Sequence, residues 1–220
     1  MKDRQQARIA VIAGVLLYIA LPPKLTIGPV WIVPLLVVIV LVPIIALKPT
    51  TVHSSRILRA LSIALIAILN VFNVISIVLL VNMLLNPHAP GHAGLSAAEL
   101  LRYGALIWMT NIIVFALWFW EVDGDGPFER ERCVSAQDFG EPDFLFPQMS
   151  IDRSRIKGLP INWKPMFLDY LYLSFTNALA VSPTDTMPLT RIAKMLMLVE
   201  SLISFFTVAL ILARSVNILS

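Results

Sequence analysis

Only two carboxylates, Asp3 and Glu99, occur before residue 121. Between them lie long apolar stretches with almost nothing to face water. Across the 220 residues, 58% are hydrophobic and 14% charged, against about 45–50% and 25% in an ordinary soluble domain. Such a chain cannot coat a globule with polar surface, which excludes a soluble enzyme. Lipid is the remaining solvent, and crossing it takes stretches of about 20 apolar residues. The net charge of +3 gives no reason to invoke nucleic acid. A single cysteine, Cys133, excludes an intramolecular disulfide and a cysteine-rich metal site.

The scarce charge is concentrated. Nine acids and six bases fall between Glu121 and Lys164. That insert is punctuated by Asp123-Gly124-Asp125-Gly126-Pro127 and by Gly140-Glu141-Pro142, residues that favour turns. It reads as an extramembrane loop too short and too poor in apolar residues for a separate domain, with Phe144, Phe146 and Trp163 dipping toward the interface. Two parts follow: N-terminal membrane helices over 1–96, in three hydrophobic segments, and a module over 97–220 that carries the insert at 121–164.

The segments run Arg8 to Leu21, Ile27 to Leu47, Ile57 to Leu85, Ala97 to Trp120 and Pro188 to Leu219. Pro34 and Pro43 in the second are tolerated as kinks. Lys164 to Ala180 is an apolar run broken by Asp169, too short to span and suited to a re-entrant helix. The fold class is therefore an all-α integral membrane protein of about five transmembrane helices, with a re-entrant helix and loop between the last two. The basic start before the first segment resembles a secretory signal, but Leu21-Pro22-Pro23 replaces a small-residue cleavage site, so an uncleaved first helix is expected.

After Asp169 come a short amphipathic helix, the polar turn Ser182-Pro183-Thr184-Asp185 and a full span. Non-helical backbone at membrane depth is tolerated where it is buried in protein or lines water. A half-helix that stops inside the bilayer and a strand that climbs back out make a pore loop.

This stretch resembles the pore module of the potassium-channel superfamily, specifically over Tyr170 to Arg214. Tyr172-Leu173-Ser174-Phe175 resembles that family's pore helix. Val181 and Asp185 match the filter's valine and closing aspartate, Pro188 and Thr190 the proline and threonine that follow, and Glu200 an acid early in the inner helix; the hinge glycine falls on Ser204. The resemblance implies a homotetramer in the lipid bilayer, a path for monovalent cations, no cofactor and a bacterial inner-membrane location. The filter departs from the family. Ala180-Val181-Ser182-Pro183-Thr184 stands where the family has Thr-Val-Gly-Tyr-Gly, whose carbonyls replace the ion's hydration shell. Both glycines, which permit positive φ, are absent, and Pro183 fixes φ near −65°. A stacked carbonyl ring gives way to hydroxyls of Ser182 and Thr184 with Asp185 at the mouth. That arrangement suits either hydrated cations without potassium selectivity or a plugged, non-conducting vestige kept as a scaffold or sensor.

Glu200, Ser204, Thr207 and Ile211 share one helical face. An intramembrane carboxylate faces the bundle interior or water. Two readings follow: a pore-lining stripe with Glu200 as an ion or proton ligand, or Glu200 bonded to the back of the re-entrant helix at Ser174 or Tyr172. Asn70 and Asn73 share a face of the third segment and, with Asn111 in the fourth, are expected to bond between helices. Trp118 and Trp120 read as interfacial anchors. Arg56 and Arg59 alone do not make a voltage sensor. His53, His88 and His92 are scattered, and no nucleophile, phosphate-loop or metal constellation is present, so no enzyme chemistry is expected. Charge favours the N-terminus inside, because 14 of the 17 bases then lie on the inner side. This puts the pore loop inside too, inverted relative to potassium channels.

Overall fold

In lipid a backbone must satisfy its own N–H and C=O groups, so apolar runs fold as helices. The computed structural model describes residues 2–46, 52–86, 96–132, 141–151, 163–179 and 185–219. The chain order is α1 (Lys2–Ile19), α2 (Ile32–Ala46), α3 (Val52–Leu85), α4 (Ala97–Val122), α5 (Pro127–Arg132), β1 (Phe144–Leu145), α6 (Pro147–Ser150), α7 (Phe167–Leu179), β2 (Met187–Pro188) and α8 (Arg191–Leu219).

Three helices are long and apolar enough to cross a membrane, over Arg56–Leu85, Ala98–Asp125 and Arg191–Ala213. The second hydrophobic segment yields a shorter helix than expected, 15 residues. Gly28 adopts φ +71° ahead of Pro29, and the helix begins only beyond that turn. Pro43 sits inside α2 without ending it. The fifth segment also starts later than expected, at Arg191, because Pro188 is drawn into a strand.

α4 is the wall on which the rest is built. Its span is 61% buried, against 33% and 28% for those in α3 and α8. It contacts α1, α3, α7 and α8. Gly104 lets α8 approach: a Cβ there would lie 2.1 Å from the Ile211 side chain. Along α4, Asn111 meets Ser204 and Gly104 meets Ile211, so α4 and α8 are antiparallel. α8 therefore starts at the end where α4 stops. Arg4 pairs with Glu131 at 2.8 Å and Arg59 with Asp125 at 3.0 Å, which brings the starts of α1 and α3 to that same end. We call it the head.

The insert begins as helix, not loop: α4 runs through Glu121 to Val122, and a tight turn leads into α5. At Gly126, φ is +95° and a Cβ would lie 3.1 Å from the Glu121 carbonyl, so glycine is required there. Farther on, β1 pairs antiparallel with β2, Phe144 opposite Pro188 and Leu145 opposite Met187. Phe144 and Phe146 are buried inside the protein rather than dipping toward an interface. They pack edge-on against Tyr170, and Trp163 packs on Phe146.

Candidate functional site: a half-depth helix held at both ends

α7 starts at the head. The Phe167 N–H donates to Asp3 Oδ1 at 2.6 Å, and the Met166 N–H to Asp169 Oδ2 at 2.7 Å. Two carboxylates thus serve the orphan donors and positive end of one helix N-terminus. Asp3 also accepts from Trp120 Nε1 at 3.0 Å, which joins the first turn of α1 to the last of α4. Asp169, read from sequence as a break in an apolar run, is therefore the start signal of a helix. Burial holds its carboxyl above the ordinary carboxylate range, and neighbouring Asp3 pushes the same way. Trp120 is not an interfacial anchor. It is buried, with Phe167 against its ring and Arg130 over it.

Beside this start lies the first polar knot. Asp123 is fully buried. Its carboxylate accepts from Tyr170 Oη at 2.5 Å and from the backbone N–H groups of Asp143 and Phe144 at 2.8 and 3.2 Å. Burial holds the Tyr170 phenol well above its ordinary range, so the hydroxyl is the donor. Arg130, also buried, donates to the backbone carbonyls of Asp123 and Trp120 and lies 5.2 Å from the Tyr170 ring centroid. Asp143 then accepts from the Thr190 hydroxyl and, through its carbonyl, from the Leu189 N–H at 2.8 Å. One chain of bonds thus runs from the end of α4 through the insert to the start of α8.

The second knot lies deeper. The Ser174 hydroxyl contacts both the Ile112 carbonyl, at 2.7 Å, and Glu200 Oε1. Asn177 Nδ2 donates to Glu200 Oε2 at 2.6 Å and to the Met197 carbonyl at 2.9 Å, and the Ser201 hydroxyl donates to Asn177 Oδ1 at 3.1 Å. Beside it, Asn73 Nδ2 donates to Asn111 Oδ1 and Asn111 Nδ2 to Ser204 Oγ, each at 3.1 Å. The C-terminal turns of α7 are therefore fastened near Ser201, ten residues or about 15 Å into α8. β2, the next described element after α7, is back at the head, paired with β1.

The two readings of the α8 stripe are now separable. Glu200, Ser204, Thr207 and Ile211 are all buried, facing α4 and α7 within one protomer. Glu200 takes Ser174 and Asn177 as partners, not Tyr172, which is exposed. Within the protomer the stripe faces inward: Glu200 finds its partners on α7 and Ser204 on α4. Thr207 bonds back to the Ile203 carbonyl at 2.7 Å. Asn73 and Asn111 bond between helices as expected, and Asn70 lies in a groove beside Trp118.

Of the expected filter residues, Ala180, Val181, Ser182, Pro183 and Thr184 lie outside the described residues, as do His88, His92 and Cys133. Asp185 is exposed, two residues before β2. Sequence reasoning missed Asp123, Arg130 and Asn177. Asp123 stood in a run read as turn-forming, and Asn177 was not singled out. Asn177 lies three residues after Ser174, a same-face spacing that gave the available signal. Among the described residues no group of three or more His, Cys, Asp or Glu could hold a metal ion.

Chemically, a helix C-terminus carries unsatisfied carbonyls and a partial negative charge. α7 aims that end at the middle of the bundle. Its outward face carries Leu168, Tyr172, Phe175 and Leu179, and that of α8 carries Leu198, Leu202, Phe205 and Phe206, all exposed. No protein-family model matches this chain, and no curated protein or solved structure matches it.

Proposed function

We propose that this membrane-embedded protein is a potassium-channel-like pore protein. Its five crossings are α1, α2, α3, α4 and α8, with α7 and the return from it as a re-entrant loop. It assembles as a homotetramer in a bacterial-type inner membrane and passes monovalent cations past Ser182, Thr184 and Asp185. The observation that carries this reading is α7 itself. It is capped at the head by Asp3 and Asp169 and pinned at half depth by Glu200, with its C-terminal carbonyls toward the bundle middle. A half-helix in this pose favours a cation at its end. The exposed apolar faces of α7 and α8 are the surfaces for neighbouring copies and lipid.

Beyond Lys194, every exposed residue of α8 through Ala213 is apolar. An axis lined by this helix is a hydrophobic constriction, which gates by dewetting. The same face favours a second reading, a non-conducting scaffold or sensor that keeps the re-entrant unit and uses the insert to bind a partner. Cation flux into liposomes separates the two. Flux that falls in Asp185→Asn and Ser182→Ala supports the channel; no flux at any voltage, pH or lipid composition supports the scaffold. A monomer or dimer in the membrane removes the pore, since one return strand cannot encircle an ion. A reporter fused after Ser220 settles orientation, with an external signal expected for an inside N-terminus.

A further inference from the structure

A groove of about 420 Å³ opens between α3 and α8. Phe115 and Trp118 of α4 form its floor, Asn70 one wall, and Met195 and Val199 of α8 the other. Arg191 stands at the head end, and Val199 lies eight residues deeper, about 12 Å along the helix. Arg191 and Lys194, both exposed, make no ion pair among the described residues. Trp118 Nε1 is buried and has no hydrogen-bond partner.

We propose that this groove holds one anionic phospholipid, its phosphate against Arg191 and Lys194 and an acyl chain along Met195, Val199 and Phe115. The layout matches the lipid: Arg191 at the head end of the groove, Lys194 exposed three residues along the same helix, then apolar walls. An uncharged hydrocarbon leaves both cations unused, and a soluble phosphate leaves the apolar walls bare. A lipid in this position also bridges α3 and α8, which meet through few direct contacts.

The test is native mass spectrometry of the purified full-length protein titrated with phosphatidylglycerol and with phosphatidylcholine. Wild type is expected to retain phosphatidylglycerol more tightly. The variant Arg191→Gln/Lys194→Gln, altered only at exposed positions, is expected to bind it about an order of magnitude more weakly and to lose the preference. Val199→Phe, which fills the groove, lowers retention of both lipids. Unchanged affinity in both variants overturns the proposal. So does a cross-link between copies through Met195→Cys at full yield, which means a second copy fills the groove. The inference stands whether or not the protein conducts, so failure of cation flux leaves it intact and its own failure leaves the pore reading intact.

Discussion

Two buried carboxylates hold α7, and they are held in different ways. Asp123 at the head accepts two backbone N–H groups and a phenol, with the Arg130 guanidinium in the same knot. Glu200 at half depth has only neutral side chains, Ser174 and Asn177. The head knot satisfies a buried carboxyl group with two backbone donors and a phenol, and the Arg130 cation lies beside it. Once buried, such an arrangement is costly to break on one side. The deep knot relies on groups that accept as readily as they donate. Ser174 has one hydroxyl hydrogen for two acceptors, the Ile112 carbonyl and Glu200. The head therefore ties Asp143 and Phe144 of the insert to the end of α4 and to α7, while the deep knot fixes where α7 stops and tolerates chemical exchange.

The sharpest way to break this comparison is Asp123→Ala. It orphans two backbone N–H groups and the Tyr170 hydroxyl inside the protein, so a loss of about 3–5 kcal/mol is expected. Thermal unfolding in detergent and early proteolysis of the insert read it out. Glu200→Ala is expected to cost less, about 1–3 kcal/mol, and to loosen α7 without releasing the insert. Equal proteolysis of the insert in both variants would erase the distinction between the knots. Gly104→Val forces α8 away from α4 at Ile211, at about 1–3 kcal/mol. It should weaken the deep knot by separating Ser204 from Asn111. The most discriminating pair is Asp123→Asn against Glu200→Gln. The glutamine supplies the N–H that the shared Ser174 hydroxyl lacks, so its melting temperature should stay close to wild type. The asparagine points an NH₂ group at donors or gives up one acceptor oxygen, and should melt clearly lower. Asn73→Ala removes one interhelical bond and is expected to cost the least, about 0.6 kcal/mol.

Much of this was legible in residues that the apolar background isolates. Asp3 and Glu99, the only acids before residue 121, both serve helix starts. Glu99 closes a capping box with Ser96, its backbone N–H donating to Ser96 Oγ at 3.2 Å while Glu99 Oε2 accepts from the Ser96 N–H at 2.9 Å. Asp3 caps α7. The first was readable from Ser-x-x-Glu spacing; the second was not, because its partner lies 164 residues away. A short amphipathic helix after the insert was legible from length and hydrophobic pattern, and the Glu200–Ser174 bond was one of two readings left open by the face that Glu200 shares.

What the sequence determined by itself is the solvent and the segmentation, since long runs without charge can satisfy their backbone in lipid only as helices. It also determined that polar residues at depth must be partnered. Only the tertiary structure decided which partners. Helical periodicity places Glu200, Ser204, Thr207 and Ile211 on one face but does not say what that face meets. Packing against α4, opened by Gly104, turned the stripe inward and left an apolar surface outside. The same packing brought Asp123 beneath Tyr170 and so tied the polar insert to the half-depth helix.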